Sequence, residues 1–85
     1  MASYSLFVKR SAAKELEAVA TKDRRRLVDR IQALAVEARP PGVQKLSGAE
    51  KYRLRQGAYR ILYTIDDDAR AVVVVKIGHR GDVYR

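Results

Sequence analysis

Apolar positions recur along this chain with two different periods. From Tyr4 to Lys9 the residues are aromatic and β-branched and end in charge, which predicts a short first strand. From Ser11 to about Ala20 the period changes: Ala12, Leu16 and Val19 recur at helical spacing behind Ser11 as an N-cap. Thr21 or Asp23 can cap a second helix, which carries the stripe Leu27, Ile31, Leu34 and Ala38, with Arg24, Arg25, Arg26 and Arg30 mainly off it. Pro40-Pro41-Gly42 stops that helix, and Val43 to Glu50, with Gly48, reads as a loop. Three further strands follow at roughly 51–56, 59–66 and 71–78, separated by Gly57-Ala58 and by Asp67-Asp68-Ala69-Arg70. The order β-α-α-β-β-β predicts an α+β fold in which a helical hairpin packs on one face of a small, mainly antiparallel, twisted sheet. With 85 residues and neither repeat nor linker, the expectation is a single domain over 1–85.

The first of the later hairpins has its register written into it. If Gly57 supplies the positive φ of a two-residue turn, Gln56 faces Tyr59, Arg55 faces Arg60, Arg53 faces Leu62 and Lys51 faces Thr64. Leu54 with Ile61 and Tyr52 with Tyr63 then fall on the reverse side, under the helices, and a slip by one residue would mix the two sets. For the last strand, the alignment that sets Ile65, Tyr63 and Ile61 against Val73, Val75 and Ile77 collects an apolar face. It also brings Gly78 beside Arg60 and Arg80 close by. Lys51, Arg53, Arg55, Arg60 and Arg80 are thus expected on one uncovered surface.

Charge gives that surface meaning. Eighteen Lys and Arg against ten Asp and Glu leave the chain at +8, and between Arg39 and Arg60 the one acid, Glu50, stands against Arg39, Lys45, Lys51, Arg53, Arg55 and Arg60. Like charges opposed across strands destabilise a sheet by a few tenths up to about 1 kcal/mol each, a cost that solvated side chains lower and an anionic ligand removes. Polyanions are the indicated partners, with nucleic acid ahead of a membrane surface because no basic amphipathic helix with a broad apolar face is present. Apolar runs reach about five residues, too few for a span or a signal-peptide core, and the chain reads as cytoplasmic. Cysteine is absent and His79 is the single histidine, so a disulfide framework, a thiol nucleophile and a Cys-rich zinc site are excluded, and no cofactor is expected.

What the basic face does chemically depends on which groups it holds. Arginine forks suit phosphates, giving two parallel charge-assisted hydrogen bonds. Cleavage of RNA further requires a base for the 2′-hydroxyl, cations for the dianionic transition state and an acid or cation at the departing 5′-oxygen. Lys51 is either that base or a solvated phosphate contact. His79, as an imidazole suited to moving protons near neutral pH, is either a chemical group or an ordinary strand-end residue. Tyr84 either stacks a nucleobase, worth about 1–3 kcal/mol, or covers the sheet edge.

The run from Tyr52 to Asp67, YRLRQGAYRILYTIDD, and the run from Val73 to Tyr84, VVVKIGHRGDVY, resemble the RelE branch of the RelE/ParE toxin superfamily. The N-terminal half matches through its order of elements, including the helix from Ala12 to Leu16 and the loop Lys45-Leu46-Ser47-Gly48. The resemblance implies a RelE-like toxin of a type II toxin-antitoxin system, an mRNA interferase that cuts messages in the ribosomal A site without metal. By the same similarity Arg60 and Arg80 bind the scissile phosphate, Tyr84 orients the message, Lys51 or His79 moves the proton, and Lys45, Arg53 and Arg55 hold RNA. Arg53 stands where a well-known member has a second lysine, and arginine does not give up its proton. The implied partners are the message, ribosomal RNA and a cognate RelB-like antitoxin, in a heterotetramer or a larger complex. The alternatives within the same fold are a ParE-like gyrase inhibitor and a catalytically inactive RNA-binding module.

Overall fold

The structure, a computed structural model, describes residues 4–46 and 50–79. In chain order it comprises β1 (Ser5–Val8), α1 (Arg10–Glu17), α2 (Thr21–Ala33), β2 (Gln44–Lys45), β3 (Lys51–Gln56), β4 (Tyr59–Asp66) and β5 (Ala71–His79). The five strands form one sheet in the order β1-β5-β4-β3-β2, antiparallel throughout except for the parallel pair of β1 with β5. Both helices lie on one side of this sheet, as the apolar stripes predict, giving the expected α+β architecture.

The core forms where those stripes meet the sheet. Ala12 of α1, Leu27 and Ile31 of α2, and Leu34 and Ala38 beyond it pack with Tyr52, Leu54, Ile61, Tyr63, Ile65, Val72, Val74 and Ile77. Leu16 and Leu6 pack against the margin of this cluster. The Tyr63 hydroxyl donates to the Ala38 carbonyl at 2.7 Å, so the chain after α2 is tied to the centre of the sheet although it is no longer helical. The stripe is therefore buried to Ala38 as predicted, whereas regular helix ends five residues sooner.

The helix starts also differ from expectation. Lys9, not Ser11, is the N-cap of α1, and no side chain caps it. The Lys9 N–H still donates to the Val74 carbonyl at 2.9 Å, so the β1–β5 ladder passes into the helix within one residue and leaves no position for a serine cap. Arg24 instead closes the joint between the helices: its guanidinium donates to the Glu17 carbonyl at 3.0 Å, satisfying an orphan acceptor at the end of α1. A further short strand, β2, occupies part of the predicted loop, pairing Gln44 with Arg53 and Lys45 with Tyr52.

The hairpin of β3 and β4 has every predicted pair, from Gln56 with Tyr59 to Lys51 with Thr64. Gly57 sits at φ 60° while Ala58 does not share the positive region, the pattern of a type II′ turn. The register of β5 requires correction. Gly78 faces Arg60 and Ile77 faces Ile61 as predicted, but Val74, not Val75, faces Tyr63, and Val72, not Val73, faces Ile65. A bulge between Leu62 and Tyr63 on β4 and Lys76 and Val74 on β5 leaves Val75 as the extra residue and reverses the parity of the strand beyond it.

Candidate nucleic-acid interface

The side of the sheet away from the helices carries the basic face. From β3 it receives Lys51, Arg53 and Arg55, and from β4 Arg60, Leu62 and Thr64, all set there by the hairpin register. Arg55 and Arg60 are directly opposed, with Gly78 flanking Arg60 on β5. Lys51 and Arg55 are four residues apart on one strand, roughly 13 Å, so the cations form a line suited to a run of backbone charges rather than to a single anion. Three ion pairs occur among the described residues: Arg39 with Asp67 at 2.9 Å, Lys45 with Glu50 at 3.1 Å and Lys76 with Glu15 at 3.0 Å.

The members of the line differ in environment. Arg55 is exposed, while Lys51 and Arg53 are half-buried. Arg53 donates to the Gln44 side chain of β2, so the edge strand missing from the sequence reading orients a cation of the face. Arg60 is only 4% exposed, the single buried charged residue among those described.

Two of the sequence candidates fall elsewhere. Lys45 pairs by register with Tyr52, whose ring lies in the core, so it takes the helix side of the sheet and the Glu50 carboxylate. Its ammonium is raised by that Glu50 hydrogen bond and charge. His79 pairs with Tyr59, one residue out of phase with Gly78 and Arg60, and meets the Tyr59 ring edge-on at 5.3 Å. It therefore lies at the correct end of the sheet but on the opposite parity. Arg80 and Tyr84 lie outside the described residues.

Sequence reasoning missed a network at the other end of the sheet. Arg39 donates two hydrogen bonds to the Asp67 carboxylate, at 2.9 and 3.2 Å, and one to the Tyr52 hydroxyl at 3.2 Å. The Tyr4 hydroxyl donates to the same carboxylate at 2.6 Å. The Arg39 guanidinium, and after it the Tyr4 hydroxyl, hold the Asp67 carboxyl down at about 2. Arg39 is thus committed to Asp67 and Tyr52. Its place beside Pro40 and the acidic turn was visible in the chain, but nothing in the residue types alone paired it with Asp67.

This arrangement has counterparts. The family model described as ParE toxin of type II toxin-antitoxin system, parDE, matches residues 6–84. The chain belongs to the RelE/ParE superfamily of type II toxin-antitoxin toxins. A curated relative, Toxin RelG of Mycobacterium tuberculosis (strain ATCC 25618 / H37Rv), is 46% identical over 37 residues, 44% of this chain and 42% of that protein. The match thus spans less than half the length of that relative. Among solved structures, a chain of the archaeal RelE-RelB complex from Pyrococcus horikoshii OT3 superposes with a TM-score of 0.85 at 26% identity, over 94% of this chain and 98% of that one. A chain of the RelBE2 toxin-antitoxin complex from Mycobacterium tuberculosis gives 0.80 at 26% identity, over 92% and 99%. The isolated E. coli RelE toxin gives 0.79 at 26% identity, over 95% and 90%. The two helices and the five-stranded mixed sheet are thus those of a RelE-like fold. No helix among the described residues is long and apolar enough to cross a membrane.

Proposed function

We propose that this superfamily member is a ribosome-dependent endoribonuclease that inhibits translation by cleaving mRNA in the A site. The observation that carries the reading is the line of Lys51, Arg53, Arg55 and Arg60, which the hairpin register sets on the sheet face away from the helices with Arg55 directly opposite Arg60. Opposed like charges on a strand pair stabilise the protein only in company with an anion, and a single-stranded message supplies a continuous one.

In this mechanism the 2′-oxygen attacks the adjacent phosphorus, and the bond from phosphorus to the 5′-oxygen of the next nucleotide breaks. The products are a 2′,3′-cyclic phosphate and, once the departing oxygen takes a proton from water, a free 5′-hydroxyl. Arg60 and Arg80 stabilise the charge that accumulates on the phosphorane oxygens. Tyr84 stacks on the message, and Arg53 and Arg55 hold its backbone. Lys51 takes the proton of the 2′-hydroxyl, in preference to His79, because it shares the face of Arg60 whereas the register assigns His79 to the other. A cognate RelB-like antitoxin is the proposed partner, supported by the toxin-antitoxin complexes among the structural relatives.

One observation favours a second reading. The matching family model is that of ParE, so a gyrase-directed toxin of the same fold is the alternative. Primer extension on translating mRNA separates the two. Cleavage within codons by the wild type, lost in Arg80→Ala with the fold retained, supports the nuclease; intact message together with inhibited DNA supercoiling overturns it. Lys51→Ala is expected to abolish cleavage and His79→Ala to retain it, and the reverse result moves the base to His79.

A further inference from the structure

The edge of β5 is only half covered by a strand. β1 accompanies it from Ala71 to Val74 and then turns into α1, leaving Val75 to His79 with no strand on that side among the described residues. The bulge at Val75 reverses the parity just there, so the Ile77 N–H is delivered to the uncovered edge while the Ile77 side chain stays in the core. A half-buried backbone donor at such an edge needs an acceptor. Glu15 of α1 provides it: Oε1 accepts the Ile77 N–H at 2.8 Å, and Oε2 receives Lys76 Nζ at 3.0 Å. One carboxylate thus stands in for the missing strand, at the residue before Gly78, the neighbour of Arg60, and two before His79.

Resting on the nuclease reading, we propose that Glu15 is a positioning residue that clamps the Ile77 backbone and so fixes the end of β5 against Arg60. Glu15 is remote in sequence from Lys51, Arg53, Arg55 and Arg60, and its carboxylate contacts are with Lys76 and the Ile77 backbone. Its effect falls on the alignment of the phosphate-binding end of the sheet, not on the attraction of RNA, and small misplacements of such groups are costly in rate. The Ile77 hydrogen bond carries the effect, with Lys76 as a neighbour of the charge. A carboxamide at position 15 therefore preserves the clamp.

The test is amide hydrogen exchange at Ile77, Gly78 and His79, with kcat and KM for cleavage on programmed ribosomes, in the wild type, Glu15→Ala and Glu15→Gln. For Glu15→Ala, Ile77 should exchange about ten- to a hundred-fold faster, the loss expected for a charge-assisted bond. kcat should fall about ten-fold or more, with KM little changed. Glu15→Gln should restore both, and Lys76→Met should leave Ile77 exchange as in the wild type. If Glu15→Ala does not fold, Glu15→Asp takes its place, since it keeps the charge but withdraws the oxygen by one methylene. Unchanged exchange at Ile77 overturns the clamp. Faster exchange with kcat unchanged overturns the positioning role, as does a Gln variant no better than Ala. A wild type that cleaves no RNA sinks the nuclease reading and the kinetic half of the proposal with it, while the exchange data still decide the clamp.

Discussion

At the scale of single residues, the acid behaviour of the protein turns on Asp67. Its carboxyl is held at about 2 by Arg39 first and Tyr4 second, below the ordinary 3.8. A carboxyl depressed by folding contributes stability that is complete above its unfolded value and is lost as pH falls through the folded one. Asp67 therefore contributes at neutral pH and loses that contribution between about pH 4 and about pH 2. Thermal melts should show the wild type losing stability across this window more steeply than Asp67→Asn; parallel curves would remove Asp67 from the account. Tyr63 acts at the alkaline end. Burial, and then the neighbouring Tyr52, push its phenol up to about 12, so its contribution is complete below about 10 and lost on the way to about 12. Tyr63→Phe orphans the Ala38 carbonyl and should cost about 1–2 kcal/mol in denaturant unfolding at neutral pH.

At the scale of elements, the bulge in β5 divides what the chain discloses from what it conceals. The β3–β4 pairing was legible because apolar and charged residues alternate along β3, Ile61, Tyr63 and Ile65 recur at every second position of β4, and Gly57 fixes the turn between them. β5 offers Val72-Val73-Val74-Val75, four residues of one type, from which parity cannot be extracted, and the structure buries Val72 and Val74. Val74→Ala should therefore cost about 1.5–3 kcal/mol and Val75→Ala about half of that or less, as read by chemical denaturation. Equal costs would return the strand to the regular register. β2 was hidden for a different reason: Gln44 and Lys45 are both polar, so only their pairing with Arg53 and Tyr52 shows them to be a strand. That pairing assigns Lys45 to the helix side, a decision no residue type could announce. The line Lys51, Arg53, Arg55 and Arg60 was legible because it depends on hairpin parity alone. Glu15 was not, because its role exists only where β1 ends and α1 crosses the β5 edge.

At the scale of the whole molecule, an excess of eight positive charges is distributed unevenly. The carboxylates of Asp67, Glu50 and Glu15 pair with Arg39, Lys45 and Lys76, while the hairpin register gathers Lys51, Arg53, Arg55 and Arg60 on the face where the message would lie. Binding to single-stranded RNA should weaken with salt, and each cation of the line that is removed should reduce the log-log slope by about 0.7. A slope indifferent to Arg53→Met and Arg55→Met would move the binding surface elsewhere. The most direct measurement is mapping of message fragments from programmed ribosomes, with their end groups, for the wild type and for the triple variant Lys51→Met, Arg53→Met, Arg55→Met, which keeps apolar stems at the three positions while discarding the charges. The account predicts fragments ending in 2′,3′-cyclic phosphate and 5′-hydroxyl from the wild type, and a folded triple variant about a hundred-fold or more slower. Equal cleavage by the triple variant, or an uncut message from a wild type that inhibits supercoiling, would contradict it.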